Sequence, residues 1–158
     1  MKRAKGFTIV ELLIVIVVIG ILAAITIVAY NGIQDRARTT ARVSDVRSIQ
    51  QAIELYHADN GTYPTTGSVW LFQRQSGDAF IPGLVPTYIA RLPSVSDGPT
   101  GSATNNTYIY RSDGTNYKLD RLYQPSLLAG EAANIPTSMK DSTWTDRWGV
   151  WSPGGSGF

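Results

Sequence analysis

The chain has 158 residues and a formal charge of +2, with a mass of 17.2 kDa and a sequence pI near 9.0, a size suited to one compact domain. It contains no cysteine, which excludes a disulfide framework, cysteine-type zinc sites and a catalytic thiol. Its one histidine, His57, excludes most Ser/His/Asp and multi-histidine metal chemistry. A basic pI ordinarily raises nucleic-acid binding, yet three of the fourteen basic side chains are Lys2, Arg3 and Lys5. Without them eleven basic groups face twelve acidic ones, a formal charge of −1.

Residues 12–34 form a charge-free run of 23 residues, apolar on every side at its centre. As a helix it spans roughly 35 Å, enough to cross a hydrocarbon core of about 30 Å. A cleaved secretory peptide has a shorter apolar core followed by small residues. Here the small residue, Gly6, precedes the core, so the segment is expected to be retained. The leader cations favour a cytoplasmic N-terminus, but Arg36, Arg38, Arg42 and Arg47 follow the run, and charge alone leaves the topology open.

The helical pattern continues beyond the run. Ala37, Ala41, Val46, Ile49, Ile53 and Tyr56 recur as an amphipathic stripe, with Arg38, Arg42, Asp45, Gln50, Gln51 and Glu54 on the other faces. Arg42 and Asp45 are spaced for an i,i+3 pair. Asn60 and Gly61 signal the stop, and Pro64 bars continuation. Unbroken over residues 7–58, this helix measures on the order of 78 Å, with Gly20 and the Asn31, Gly32 pair as points where it could bend.

From Tyr63 onward the chain is rich in Gly, Ser, Thr, Asn and Pro and carries 13 of its 16 aromatic residues. Residues 108–110 and 117–119 flank Ser112, Asp113, Gly114 and Thr115, a strong hairpin signal. A last strand is expected near Trp148 and Trp151, a short helix or irregular loop within residues 72–88, and a loose glycine-rich tail over residues 152–158. The fold class is α+β: a long N-terminal helix, membrane-embedded in residues 7–34 and amphipathic in 35–58, packed on a small antiparallel sheet within a head of residues 59–158.

Glu11 is the one formally charged side chain of residues 7–34. A carboxylate costs a few kcal/mol near the bilayer centre, and less towards the interface, unless it is paired. A chain cut after Gly6 would begin at Phe7 with a cationic amine one helical turn from Glu11. Pairing of these groups between neighbouring subunits would neutralise both charges and set the axial stagger.

Lys5, Gly6, Phe7, Thr8, Ile9, Val10, Glu11, Leu12 and Leu13, followed by the apolar run, resemble the class III signal of the type IV pilin family. The resemblance implies a leader of residues 1–6 with its charges Lys2, Arg3 and Lys5. It implies cleavage between Gly6 and Phe7 by a prepilin peptidase, N-methylation of Phe7, and neutralisation of that amine by Glu11 of an adjacent subunit. It further implies insertion with the N-terminus in the cytoplasm, lodging in membrane lipid as a single-pass precursor, and an inner-membrane assembly platform as a partner. The end product that the resemblance implies is a homo-oligomeric helical filament at the cell surface. Residues 55–66 resemble the helix exit of pilins and of type II secretion major pseudopilins, residues 88–93 with Asp97, Gly98 and Pro99 the loop before the sheet, and residues 108–119 the hairpin of the family. The chain has neither the cysteine pair that staples many pilins nor a proline in the outer part of the apolar run.

The function this implies is a structural subunit of a type IV pilus-like filament. The alternatives are a major pseudopilin of a type II secretion or competence system and, in another class, a membrane-anchored binding domain that never polymerises. An enzyme is disfavoured, since no nucleophile with a base and no phosphate loop is found. No cofactor is expected, except that major pseudopilins are known for a calcium site; Asp113, Asp120, Asp141 and Asp146 are the candidate ligands. Their spacing matches no EF-hand loop, and turn-forming or solvated acids account for them better. Arg36, Arg38, Arg42 and Arg47 could contact DNA phosphates, although pairing or solvation suits them better. Trp144, Trp148 and Trp151 are expected to pack the C-terminal segment onto the sheet.

Overall fold

The computed structural model describes residues 7–95 and 104–158; the leader residues and Asp97, Gly98 and Pro99 lie outside them. Helix α1 runs unbroken over Ile9–Asn60, 52 residues, through both Gly20 and Gly32. Its first residue is Ile9 rather than Phe7 because Thr8 takes extended backbone and caps the helix. Thr8 Oγ1 accepts from the Glu11 N–H at 3.2 Å, while Glu11 Oε2 accepts from the Thr8 N–H at 2.8 Å. This reciprocal pair satisfies two N–H groups that the helix leaves open. At the other end Gly61 adopts φ 71°, and its N–H reaches His57 O at 2.8 Å. A left-handed residue closes a helix in this way at little steric cost only when it is glycine.

The head is a four-stranded antiparallel meander in the order β1 (Leu71–Phe72), β2 (Asn106–Ser112), β3 (Tyr117–Tyr123), β4 (Arg147–Trp151). The hairpin at residues 113–116 sets the register, with Tyr110 opposite Leu119 and Ser112 opposite Tyr117. A short helix α2 (Gln73–Ser76) leads from β1 into a further helical turn, and α3 (Ala129–Asn134) lies between β3 and β4. The two-residue β1 escapes a reading by pattern because it has no period to display; pairing with residues 109 and 110 creates it.

Alternation along the strands gives the sheet two faces. Tyr108, Tyr110, Tyr117, Leu119 and Trp148 enter one core with Val43, Val46, Ile49, Ala52 and Ile53 of α1. Burying side chains such as Ile49 and Ile53, both fully enclosed, contributes about 1.5–3 kcal/mol each. The buried stripe differs from the one expected. Ala37 and Ala41 are exposed, and Thr39, Arg42 and Val43 face inward instead. The cause is α3, which packs on this part of α1 and offers the Arg42 guanidinium a buried carboxylate, Glu131.

Residues 152–158 are not a loose tail. Ser152 continues the pairing beyond β4: its N–H donates to Tyr117 O at 3.1 Å, and its Oγ accepts from the Tyr117 N–H at 3.0 Å. The Phe158 ring lies 4.8 Å from the Arg111 guanidinium carbon. Of the three tryptophans, only Trp148 is fully buried in the core. Trp151 is half-buried beside Lys118, and Trp144 remains 47% exposed against Arg147.

Candidate functional site

Within α1, Ile9–Thr26 has a mean hydropathy of 3.0, and none of that window is covered by the rest of the chain. It is the one helix among the described residues long and apolar enough to cross a membrane. A continuous apolar cylinder of this size does not persist bare in water, so lipid or neighbouring copies must cover it. The tertiary fold explains why it stays free: the head packs on the outer half of α1, from Asp35, beside Gly130 of α3, to Asn60, which donates to the Tyr88 hydroxyl, so no described residue of the head reaches back over the first turns.

Glu11 lies at the N-terminal edge of this cylinder, and Thr8 supplies its partners. The Thr8 hydroxyl donates to Glu11 Oε2 at 2.7 Å in addition to the main-chain bond. Phe7 precedes the cap and is 81% exposed. The chain thus presents its first apolar ring outward, with the carboxylate one turn away and aligned by a neutral hydroxyl. Such hydrogen bonds lower the cost of keeping a carboxylate in lipid. Lys2, Arg3, Lys5 and Gly6 fall outside the described residues.

The outer half of α1 anchors the head through tyrosine hydroxyls. Tyr108 donates to Asp45 Oδ2 at 2.8 Å and Tyr117 to Glu54 Oε1 at 2.8 Å. Burial above all, then the adjacent carboxylate, pushes both phenols well above their ordinary range, so they remain protonated donors. Asp45 is therefore engaged by the sheet, and Arg42 by Glu131 at 2.5 Å. Glu131, 2% exposed, also accepts from Trp148 Nε1 at 2.9 Å and stands 3.5 Å from Arg121 Nε. This buried centre joining α1, α3, β3 and β4 carried no sequence signal, since Glu131 sits in a short helix without periodicity. With Arg42 enclosed and Arg36, Arg38 and Arg47 exposed, the four arginines form no single phosphate-binding row. His57 stacks on Tyr63 at 4.2 Å, a packing role at the last turn of α1.

The four aspartates considered for calcium do not converge. Asp113 caps the hairpin turn, accepting from the Asn116 and Thr115 N–H groups at 2.7 and 2.8 Å, and those bonds hold its carboxyl below the ordinary range. Asp146 accepts from Arg147 Nε at 2.9 Å and Gln124 Nε2 at 3.4 Å. Asp141 lies 2.7 Å from Lys118 Nζ. Burial pushes the Asp141 carboxyl up, but Lys118 and the Thr143 and Trp144 N–H groups more than offset this, and it ends below the usual range. Asp120 is fully buried, and among the described residues neither of its oxygens has a hydrogen-bond partner. Among the described residues no three acidic or histidine side chains could share a metal ion. Among the described residues these four aspartates do not fit calcium, which takes six to eight oxygens.

Residues 1–27 match the prokaryotic N-terminal methylation motif, and residues 29–124 match the type II secretion system protein G family. The chain belongs to the type II secretion protein G family. Its members are structural pseudopilins, not known as enzymes, and they fall within the wider type IV pilin group. The match spans the outer half of α1, the loop and the β2–β3 hairpin, and stops before α3 and β4. Among relatives, the type II secretion system core protein G of Aeromonas hydrophila is 33% identical over 129 residues, covering 75% of this chain and 80% of that protein. Those of Klebsiella pneumoniae and Pseudomonas aeruginosa are 38% and 35% identical over 66 and 65 residues. Those two alignments span less than half of either relative, 47% and 46%. No solved structure matches the chain. Between the readings open at the level of sequence, the family favours the major pseudopilin over a pilus subunit.

Proposed function

We propose that this chain is a major pseudopilin, made as a membrane-anchored precursor and polymerised into a helical filament through the first half of α1. A prepilin peptidase cuts between Gly6 and Phe7, and Phe7 is then methylated on its new amine. Lys2, Arg3 and Lys5 keep the N-terminus cytoplasmic before the cut. An inner-membrane platform lifts the apolar segment out of lipid, and packing against neighbouring segments replaces the lipid contacts. The head is carried to the far side of the membrane at the outer end of the stalk.

The observation that carries this reading is the bare apolar window Ile9–Thr26, built into the same unbroken helix that packs against the head and interrupted at its edge by one carboxylate. An ordinary anchor needs no such acid. In the filament Glu11 compensates the Phe7 amine of an adjacent subunit, a pairing that Thr8 prepares by fixing the carboxylate on the first turn. Such a pair away from water is strongly favoured over either charge alone.

Glu11→Ala tests this directly. Membrane insertion, followed by fractionation, should be unchanged, and sheared filaments should fall to background. Filaments at wild-type abundance from this variant would refute the pairing role. Mass spectrometry of the assembled subunit should find a chain starting at methylated Phe7; intact Met1 in filaments would overturn the processing step.

A further inference from the structure

The face of the sheet turned away from α1 is a layer of charge. Lys118 stands opposite Arg111 on β2 and Trp151 on β4, with Asp120 two residues along the same strand. Lys118 is 1% exposed. A buried ammonium is costly unless its three N–H donors are all used, and here three oxygens surround it. Asp141 Oδ2 lies at 2.7 Å, and the main-chain oxygens of Ser156 and Phe158 each lie at 3.3 Å. The Trp151 ring, with its centroid 5.2 Å away, closes a further side. One side chain of β3 thus gathers the loop before β4, the strand β4 and the tail.

A carboxylate with two main-chain oxygens is the kind of oxygen set that holds a hard cation. In this fold the cation is part of the chain. Independent contacts place the tail at the same spot. Ser152 hydrogen-bonds Tyr117 on both of its main-chain groups, and a Cβ at position 155 would collide with Tyr117 O, so Gly155 permits the close approach.

We propose that Lys118 is a built-in cation that fastens the tail and the loop before β4 to the sheet, in place of a bound metal ion, so that the head folds without divalent cations. The inference concerns the head alone and stands whether or not the filament reading holds.

The experiment uses the full chain in detergent micelles, with melting followed by tryptophan fluorescence, since all four tryptophans lie in the head. After dialysis against chelator, and again with calcium added, the melting temperature should match that of the untreated protein. A drop with chelator that calcium reverses would overturn the proposal. Lys118→Met keeps the length and removes the charge. Amide hydrogen exchange over residues 152–158 should then quicken by about tenfold or more, and calcium should not restore it. Wild-type protection in that variant would also overturn the proposal. Should the variant not fold, acetylation of the wild-type chain decides the point. Lys118 should react about tenfold or more slowly than the exposed Lys140; equal rates would show that the clamp does not hold.

Discussion

Asp120 makes the stability of this head depend on pH in a direction opposite to most acidic groups. Its carboxyl is fully enclosed on β3, and among the described residues no donor reaches either oxygen. Burial pushes it up; Lys118 and Arg147 pull it down, and Asp141 and Asp146 add to the rise, leaving it at about 7 against 3.8 for a free aspartate. The folded chain therefore holds a proton that the unfolded chain has already released between those two values. Stability from this group is whole below about pH 4, declines as pH rises towards 7, and is flat above. At about 1.4 kcal/mol per pH unit the loss is about 4 kcal/mol, an upper value because water reaching the site would relieve part of it. Asp120→Asn keeps the shape and removes the titration. Urea unfolding of the full chain in micelles, read by tryptophan fluorescence from pH 4 to 8, should show the wild type weakening relative to the variant as pH rises. Parallel curves for the two proteins, or a wild type that gains on the variant towards pH 8, would refute the reasoning.

Glu131→Gln leaves Arg42 and Arg121 facing a neutral group in an enclosed site. The expected cost is about 3–5 kcal/mol in urea unfolding, with the segment containing α3 losing amide protection first. Ile53→Ala removes a fully buried side chain of α1 from the core. It should cost about 2–5 kcal/mol by the same measurement while leaving membrane insertion intact, because no described residue of the head covers the apolar window. Tyr117→Phe deletes the hydroxyl that Glu54 accepts, for a loss of about 1 kcal/mol.

How far the sequence could be read follows from the distance over which each feature is decided. Residues 12–34 announce their helix by composition alone, and Asn60 with Gly61 marks its end, because capping and backbone preference act within one or two turns. The hairpin was legible for the same reason: the turn at 113–116 sets the register of both flanking strands. The inward stripe of α1 was legible only in part. Its period holds over Val46, Ile49 and Ile53, but the small, apolar Ala37 and Ala41 are exposed while Arg42, a charged residue, is buried in their place. That exchange depends on Glu131, 89 residues away.

Pattern alone could not place the polar groups of the head. Asp45 and Tyr108 are separated by 63 residues, and Lys118 and Phe158 by 40. No local rule connects such positions, since a buried charge is acceptable only where a distant partner happens to arrive. The same holds for the tail, whose glycines read as looseness but allow close docking on β3. By itself, then, the sequence determined the stalk, its apolar half, the acid at its edge and the hairpin, all products of short-range periodicity and turn chemistry. The tertiary structure alone decided which charges are buried, what they pair with and how the C-terminal segment is held. Those outcomes rest on electrostatic pairings between residues far apart in the chain, which exist only once the helix and sheet have closed on one another.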